Sequence, residues 1–367
     1  MFKRLEYRRI REVAGTIVKI SDDARRYNAF PKVIRTADMS SCLHGTLLAA
    51  WYCGNAHVDT NSDGQIWGAF SADEGRTWSD PFLILDDPSL DCRNIAIARA
   101  PDGSLIMFLA KYMVKHGRWT NQNFGFTRSS DHGRTWSPFT TLISGNASIV
   151  PGAANGNGYG DAVVIDGTIY IACYGNPVPP SPVQYIAFVL ASSDNGNTWR
   201  HASTINAQAS VTASEADFCI APGACGDVMF GFTRTSIAEG DMLHYFESTD
   251  RGRSWSPLVP TNVWGQSPDV QQLADGRYIV AYRARSKSKN YYVGYFLLDE
   301  DFPSLTDKID VLKRIEQGCL VRTTFNQPGG DVAYPSVTTL DGSKLLVVYY
   351  DIGAGGVFGK IIDEARL

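Results

Sequence analysis

The 367 residues carry a formal net charge of −4 and are 44% hydrophobic, enough apolar material to bury one large core. No basic stripe offers a footprint for nucleic acid and no apolar run reaches membrane-spanning length, so neither nucleic acid nor a membrane is expected as a partner. Seven cysteines, an odd number without a Cys-x-x-Cys pair, read as reduced thiols and not as a disulfide framework.

In chain order, residues 1–14 form a basic N-terminal arm. It lacks the apolar centre of a signal peptide, so the expected location is the cytoplasm, or a virion if the chain is phage-encoded. Gly15 to Ser21 alternates apolar and polar residues and reads as a strand standing alone before the first repeat. From Ala29 onward a unit recurs: an inner strand, a tight turn, a second strand, a loop, a third strand, a fixed octapeptide and an outer strand. The octapeptide is Ser71 to Trp78, then Ser129 to Trp136, Ser192 to Trp199 and Ser248 to Trp255, four copies of S-x-D-x-G-x-[TS]-W set about 60 residues apart. Its Asp can accept backbone N–H bonds inside a turn, its Gly supplies a positive φ, and its Trp packs inward as the next strand begins. Two further units keep the hairpin turn, at Asp275-Gly276 and Asp341-Gly342, without the octapeptide. The fifth ends in a short helical outer segment over Ser304 to Arg314. The sixth has three strands, Tyr334 to Leu340, Lys344 to Tyr350 and Val357 to Ile362, which leaves an open edge for the Gly15 strand to cover.

The octapeptide resembles the Asp-box, or BNR, repeat of the sialidase (neuraminidase) superfamily. The resemblance implies an all-β, six-bladed β-propeller closed by an N-terminal strand, with residues 15–367 as a single domain. In that family the Asp boxes lie on the periphery and the chemistry lies near the axis. Asp73, Asp131, Asp194 and Asp250 are therefore read as structural.

Loops from every blade of a propeller converge at one end of its axis, where the inner strands begin and the second strands end. Residues at those positions include His57, Asp59, Arg93, Asp161, Tyr174, Glu215, Arg234, Arg283, Arg285 and Tyr334. So many ionisable groups aimed at one line suit a pocket for a charged polyhydroxyl ligand. The alternative for each is structural: Glu215 and Arg234 could pair to hold blades together, His57 could serve its loop, and Tyr334 could pack. Arg283 and Arg285 alternate on one strand and share a face.

By resemblance, Asp59 corresponds to the family's acid/base, Tyr334 to its nucleophile, Glu215 to the base that activates the tyrosine, and Arg234 to one arginine of the carboxylate clamp. Arg93, Arg283 and Arg285 are the remaining candidate anion partners, and Asp161 and Tyr174 candidate substrate contacts. The chain departs from the family pattern where Ala29 replaces the first arginine and Tyr350 the glutamate that orients it. The implied function is sialidase-like hydrolysis of a glycan carrying an acidic sugar, with a rearranged arginine clamp. One alternative is a glycan-binding or virion-associated propeller without catalysis, docked through its arm or self-assembled as a homo-oligomer. Another is a uronic-acid lyase with His57 and Tyr334 as acid and base. His116, His132, His201 and His244 lack metal-ligand spacing, and neither metal nor cofactor is expected.

Overall fold

The computed structural model describes residues 10–21, 26–37, 46–57, 62–115, 118–145, 147–180, 183–206, 211–223, 226–235, 242–284, 292–324 and 332–367. Apart from short helical turns, the regular secondary structure of the described residues is all strand. β1 (Thr16–Lys19) precedes a four-stranded sheet of β2 (Tyr27–Arg35), β3 (Leu47–Gly54), β4 (Gln65–Ser71) and β5 (Phe82–Leu85). A five-stranded sheet follows, made of β6 (Asp91–Arg99), β7 (Leu105–Lys115), β8 (Arg118–Ser129), β9 (Thr140–Ser144) and β10 (Ala147–Ser148). Another four-stranded sheet comprises β11 (Asn157–Ile165), β12 (Thr168–Gly175), β13 (Ile186–Ser192) and β14 (Arg200–Thr204). Seven strands then join in one sheet: β15 (Ala213–Ala221), β16 (Val228–Thr235), β17 (Met242–Ser248), β18 (Val259–Gln272), β19 (Tyr278–Ala284), β20 (Tyr292–Leu298) and β21 (Gly318–Arg322). Helix α1 (Lys308–Leu312) lies between its last two strands. The final sheet holds β22 (Ala333–Leu340), β23 (Lys344–Asp351) and β24 (Gly356–Asp363), with β1 on its edge.

These sheets form a propeller-like ring. The inner strands are spatial neighbours in the cyclic order β2, β6, β11, β15, β18, β22 and back to β2. β18 serves twice: Val259 to Trp264 pairs with β17, and Gly265 to Gln272 pairs with β19. The expected edge pairing is present, with β1 antiparallel to β24 from Thr16↔Ile361 to Lys19↔Phe358. Just ahead of it, Glu12 bridges to Cys319 on β21 and Val13 is buried between β21 and the last sheet. The fifth unit differs from its sequence reading. Its outer strand is β21, and the helical stretch is confined to a 3-10 turn at Phe302–Ser304 and the five residues of α1.

Each octapeptide folds alike. In the second copy Ser129 Oγ accepts from Gly133 N at 2.8 Å and donates to Asp131 at 2.8 Å. Asp131 accepts from Thr135 N at 2.9 Å and from its hydroxyl at 2.6 Å, and the Trp136 indole donates to the Gly133 carbonyl at 3.1 Å. Two consecutive residues are left-handed, His132 at φ 62° and Gly133 at φ 91°, so the turn reverses the chain tightly. The fourth Trp departs: Trp255 donates to Ser203 Oγ at 2.8 Å, because the Ser203 hydroxyl itself donates to the Gly252 carbonyl. The Trp residues pack against the apolar layers between sheets, where fully buried residues such as Trp51, Phe108 and Phe218 lie. Each such side chain contributes roughly 1.5–3 kcal/mol by leaving water. The described cysteines, Cys53, Cys92, Cys173, Cys219 and Cys319, are buried, and the last four are free thiols.

Candidate functional site

The inner strands share a defect. Each pairs with its second strand through a register shift, between Ala29 and Lys32, Arg93 and Ala96, Gly158 and Ala162, Ser214 and Ala216, Gln266 and Asp269, and Ala333 and Ser336. A bulge inserts an extra residue and re-aims its side chain. In five of the six the bulged residue is left-handed without being glycine: Phe30 at φ 54°, Asn94 at 55°, Glu215 at 38°, Ser267 at 53° and Tyr334 at 49°. Such conformations cost of order 1–3 kcal/mol each and persist where the surroundings over-determine them. The third strand instead carries Gly158 and Gly160, where a Cβ would lie 2.8 Å from Asn94 O and 2.7 Å from Ala216 O, so the neighbouring inner strands approach too closely for any side chain.

Two of these re-aimed side chains meet. The Tyr334 hydroxyl donates to Glu215 Oε1 at 2.6 Å, and Arg234, from β16, donates to the same oxygen at 2.7 Å. Ser267 donates to the other carboxylate oxygen at 2.9 Å. Burial, then the charge of Glu215, holds the Tyr334 phenol protonated well above the ordinary tyrosine range. The same causes act on Tyr174, so it too is electrostatically linked to Glu215. Tyr159 lies edge-on beneath Tyr334 with ring centroids 5.8 Å apart, and its hydroxyl donates to the Pro268 carbonyl at 2.8 Å.

An aromatic wall stands beside the pair. Phe30 lies 5.1 Å from Tyr334, 5.4 Å from His57 and 5.5 Å from Tyr350, centroid to centroid. His57 is exposed, with Nδ1 3.1 Å from the Tyr27 hydroxyl. Arg93 lies under it, only 2% exposed. Its Nε donates to Asp91 at 2.8 Å, and both terminal nitrogens donate to the His57 carbonyl at 3.1 Å. The guanidinium carbon sits 3.9 Å over the Trp119 ring and 4.4 Å over Tyr52. Arg93 thus pins the loop that carries His57. Arg283 is buried opposite Gln266, its cross-strand partner. Asp59 and Arg285 lie outside the described residues.

Asp161 belongs to a different assembly on the axis. Lys32, fully enclosed on β2, places Nζ 3.2 Å from Asp161 and 3.7 Å from Asp269, and 4.9 Å from the Tyr159 ring centroid. Asp217 accepts the backbone N–H groups of Asp161 and Val270, both at 2.7 Å, and Asp269 accepts that of Val337 at 3.2 Å. These carboxylates tie inner strands together. Burial disfavours the Lys32 charge, but Asp161, Asp269 and Asp217 outweigh it and raise its ionisation above the ordinary lysine value. Burial and the charge of Asp161 push Asp217 up to about 7 and Asp269 well above its usual value, against the pull of Lys32. One oxygen from each of the three carboxylates lies within 4.8 Å of the others, a spacing a metal ion could bridge, but the Lys32 ammonium already supplies a cation there.

Residues 45–347 match the model of the BNR repeat-like domain. The chain belongs to the BNR repeat-like family. No curated protein matches it. This BNR repeat-like chain is similar in fold to a Dyadobacter fermentans protein of unknown function, at 20% identity and TM-score 0.76, covering 96% of this chain and 100% of that one. It is similar to the Trypanosoma rangeli sialidase bound to the inhibitor DANA, at 13% identity and TM-score 0.62, covering 96% of this chain but 58% of the sialidase. It is also similar to a Penicillium chrysogenum alpha-L-arabinanase complexed with arabinobiose, at 14% identity and TM-score 0.62, covering 96% and 99%. Sialidase-like architecture and glycan-active neighbours are thereby common ground, and identities this low speak to fold alone. Sequence reasoning had placed Glu215, Arg234 and Tyr334 together, and the structure brings them into contact. It missed Ser267, Trp119 and Lys32, of which the bulge position alone could have flagged Ser267.

Proposed function

We propose that this BNR repeat-like protein is a retaining glycoside hydrolase in which Tyr334 is the nucleophile and Glu215 the base that accepts its proton. The reading is carried by the 2.6 Å hydrogen bond between two bulged, left-handed residues that lie 119 positions apart in the chain. At rest the phenol is neutral. As its oxygen bonds the anomeric carbon, the proton passes to Glu215 and the glycosidic C–O bond breaks. The departing oxygen takes a proton from an acid, for which Asp59 remains the candidate. Water then attacks the glycosyl-tyrosine, giving its proton to the acid residue's conjugate base, and Glu215 returns the first proton to the phenolate, with net retention. Arg234, part-exposed beside the pair, is the cation that an acidic substituent of the sugar would meet. The Phe30–His57–Trp119 wall suits the apolar face of a sugar ring. Arg93 then acts by holding His57 and not by clamping substrate.

The same reading takes residues 15–367 as one domain and counts six blades, with β18 closing the fourth and opening the fifth. The test is release of the leaving group from a panel of aryl glycosides of acidic and neutral sugars. Tyr334→Phe and Glu215→Gln are each expected to lower kcat/KM by roughly a thousandfold or more while leaving the melting temperature near that of the parent. Turnover that survives both substitutions rejects the mechanism, and stable glycan binding without turnover would support a non-catalytic propeller.

A further inference from the structure

We propose that Ser267 is a positioning residue for Glu215, an inference that rests on the hydrolase reading above. A carboxylate rotates readily about its terminal torsion, which is broad and two-fold. Two donors, Tyr334 and Arg234, converge on Oε1, so that oxygen alone does not fix the carboxylate plane. The Ser267 hydroxyl loads Oε2 at 2.9 Å and removes that freedom, keeping Oε1 aimed at the Tyr334 proton.

Ser267 is itself held. It is fully buried and left-handed at φ 53°, in the bulge of β18. The next residue, Pro268, offers its carbonyl to the Tyr159 hydroxyl at 2.8 Å, and the Tyr159 ring packs on Tyr334. Tyr159 therefore ties the strand that carries Ser267 to the phenol that Glu215 must meet. A serine in this conformation bears a strain that glycine would relieve, and its side chain is the one that bonds Glu215.

Glycine and alanine at this position separate the two roles. Ser267→Gly deletes the hydroxyl and relaxes the backbone, whereas Ser267→Ala deletes the hydroxyl and keeps the strain. A positioning role predicts that both lower kcat by about 10- to 100-fold with KM within about twofold, although Ser267→Gly, relieved of the backbone strain, melts above Ser267→Ala. A merely structural role predicts that Ser267→Gly regains the parent kcat, and that result overturns the proposal. If Tyr334→Phe and Glu215→Gln abolish turnover while both Ser267 variants keep it, the hydrolase reading stands and this inference fails. If Tyr334→Phe and Glu215→Gln do not affect turnover, the hydrolase reading itself fails. A measurement without substrate decides the geometry in either case. In protein labelled with 13C at tyrosine Cζ, the Tyr334 resonance is assigned by its loss in Tyr334→Phe. It should shift in both Ser267 variants, and an unmoved resonance rejects the proposal.

Discussion

The periphery and the axis of this ring are both built by repetition, but they repeat different things. At the periphery residues and geometry recur together: Ser71, Ser129, Ser192 and Ser248 each accept from the box glycine at 2.8–2.9 Å, and each box aspartate takes the same two donors four residues on. At the axis only the backbone recurs. The same bulge presents Phe30, Asn94, Glu215, Ser267 and Tyr334 in turn. Identical side chains make identical braces, which is what a repeated scaffold needs. Different side chains on one repeated bulge make a pocket whose members converge without being alike, which is what chemistry needs.

The comparison breaks most visibly at Lys32. Lys32→Met would leave the buried Asp217 and Asp269 and the half-buried Asp161 facing one another without their cation, and removing one partner of a buried charge assembly costs about 3–5 kcal/mol. A urea midpoint unchanged by Lys32→Met would show that the cage does not hold the ring. The cage also predicts a pH dependence of definite sign. Asp217, raised to about 7, and Asp269, raised well above its usual value, bind protons in the folded state that an unfolded chain releases near pH 4. Stability should therefore fall as pH rises from about 4 through about 7, by at most about 1.4 kcal/mol per pH unit per proton. The box residues Asp131 and Asp194, lowered to about 2, act in the opposite sense and only below about pH 4. Urea midpoints that rise between pH 5 and pH 8 would contradict this account.

How much of this was legible in the sequence follows from the same contrast. The boxes, the hairpin turns and the β1–β24 pairing were readable, because each is a local pattern or the only spare strand for an open edge. The Glu215–Tyr334 contact was reachable only through family resemblance, since 119 residues separate the partners. Lys32 was invisible: mid-strand lysines ordinarily face water, and its partner Asp161 lies 129 residues away. Arg93 was correctly placed near the pocket, but a guanidinium that serves the site and one that pins a neighbouring loop have the same position in the chain. β21 was missed because five residues after a helical turn carry too little alternation to read as a strand.

A smaller effect is expected at the boxes. Asp131→Ala removes the acceptor for the Thr135 N–H and hydroxyl, much as losing a helix cap does, and should lower stability by about 1 kcal/mol. Because Asp131 lies at the periphery, kcat and KM should stay at parent values. A loss of turnover larger than the loss of folded protein would mean that the boxes reach the pocket after all.

The sharpest form of the comparison is the smallest effect. Asn195 sits at the left-handed box position, φ 57°, as Ser267 does at the axis, φ 53°. At Asn195 the backbone carbonyl is what the neighbouring blade uses, taking Arg128 Nε at 3.3 Å, and glycine keeps that carbonyl. Asparagine already tolerates the left-handed region, so Asn195→Gly relieves little strain and adds some freedom to the unfolded chain, for a net change within about 0.5 kcal/mol. Turnover should not change. The matching substitution at the axis, Ser267→Gly, relieves more backbone strain than Asn195→Gly but removes a bond to the proposed base. Paired melting curves and initial rates for the two variants therefore isolate the side chain from the turn that carries it. Equal rates in both would mean that the axis, like the periphery, uses its bulges for architecture alone.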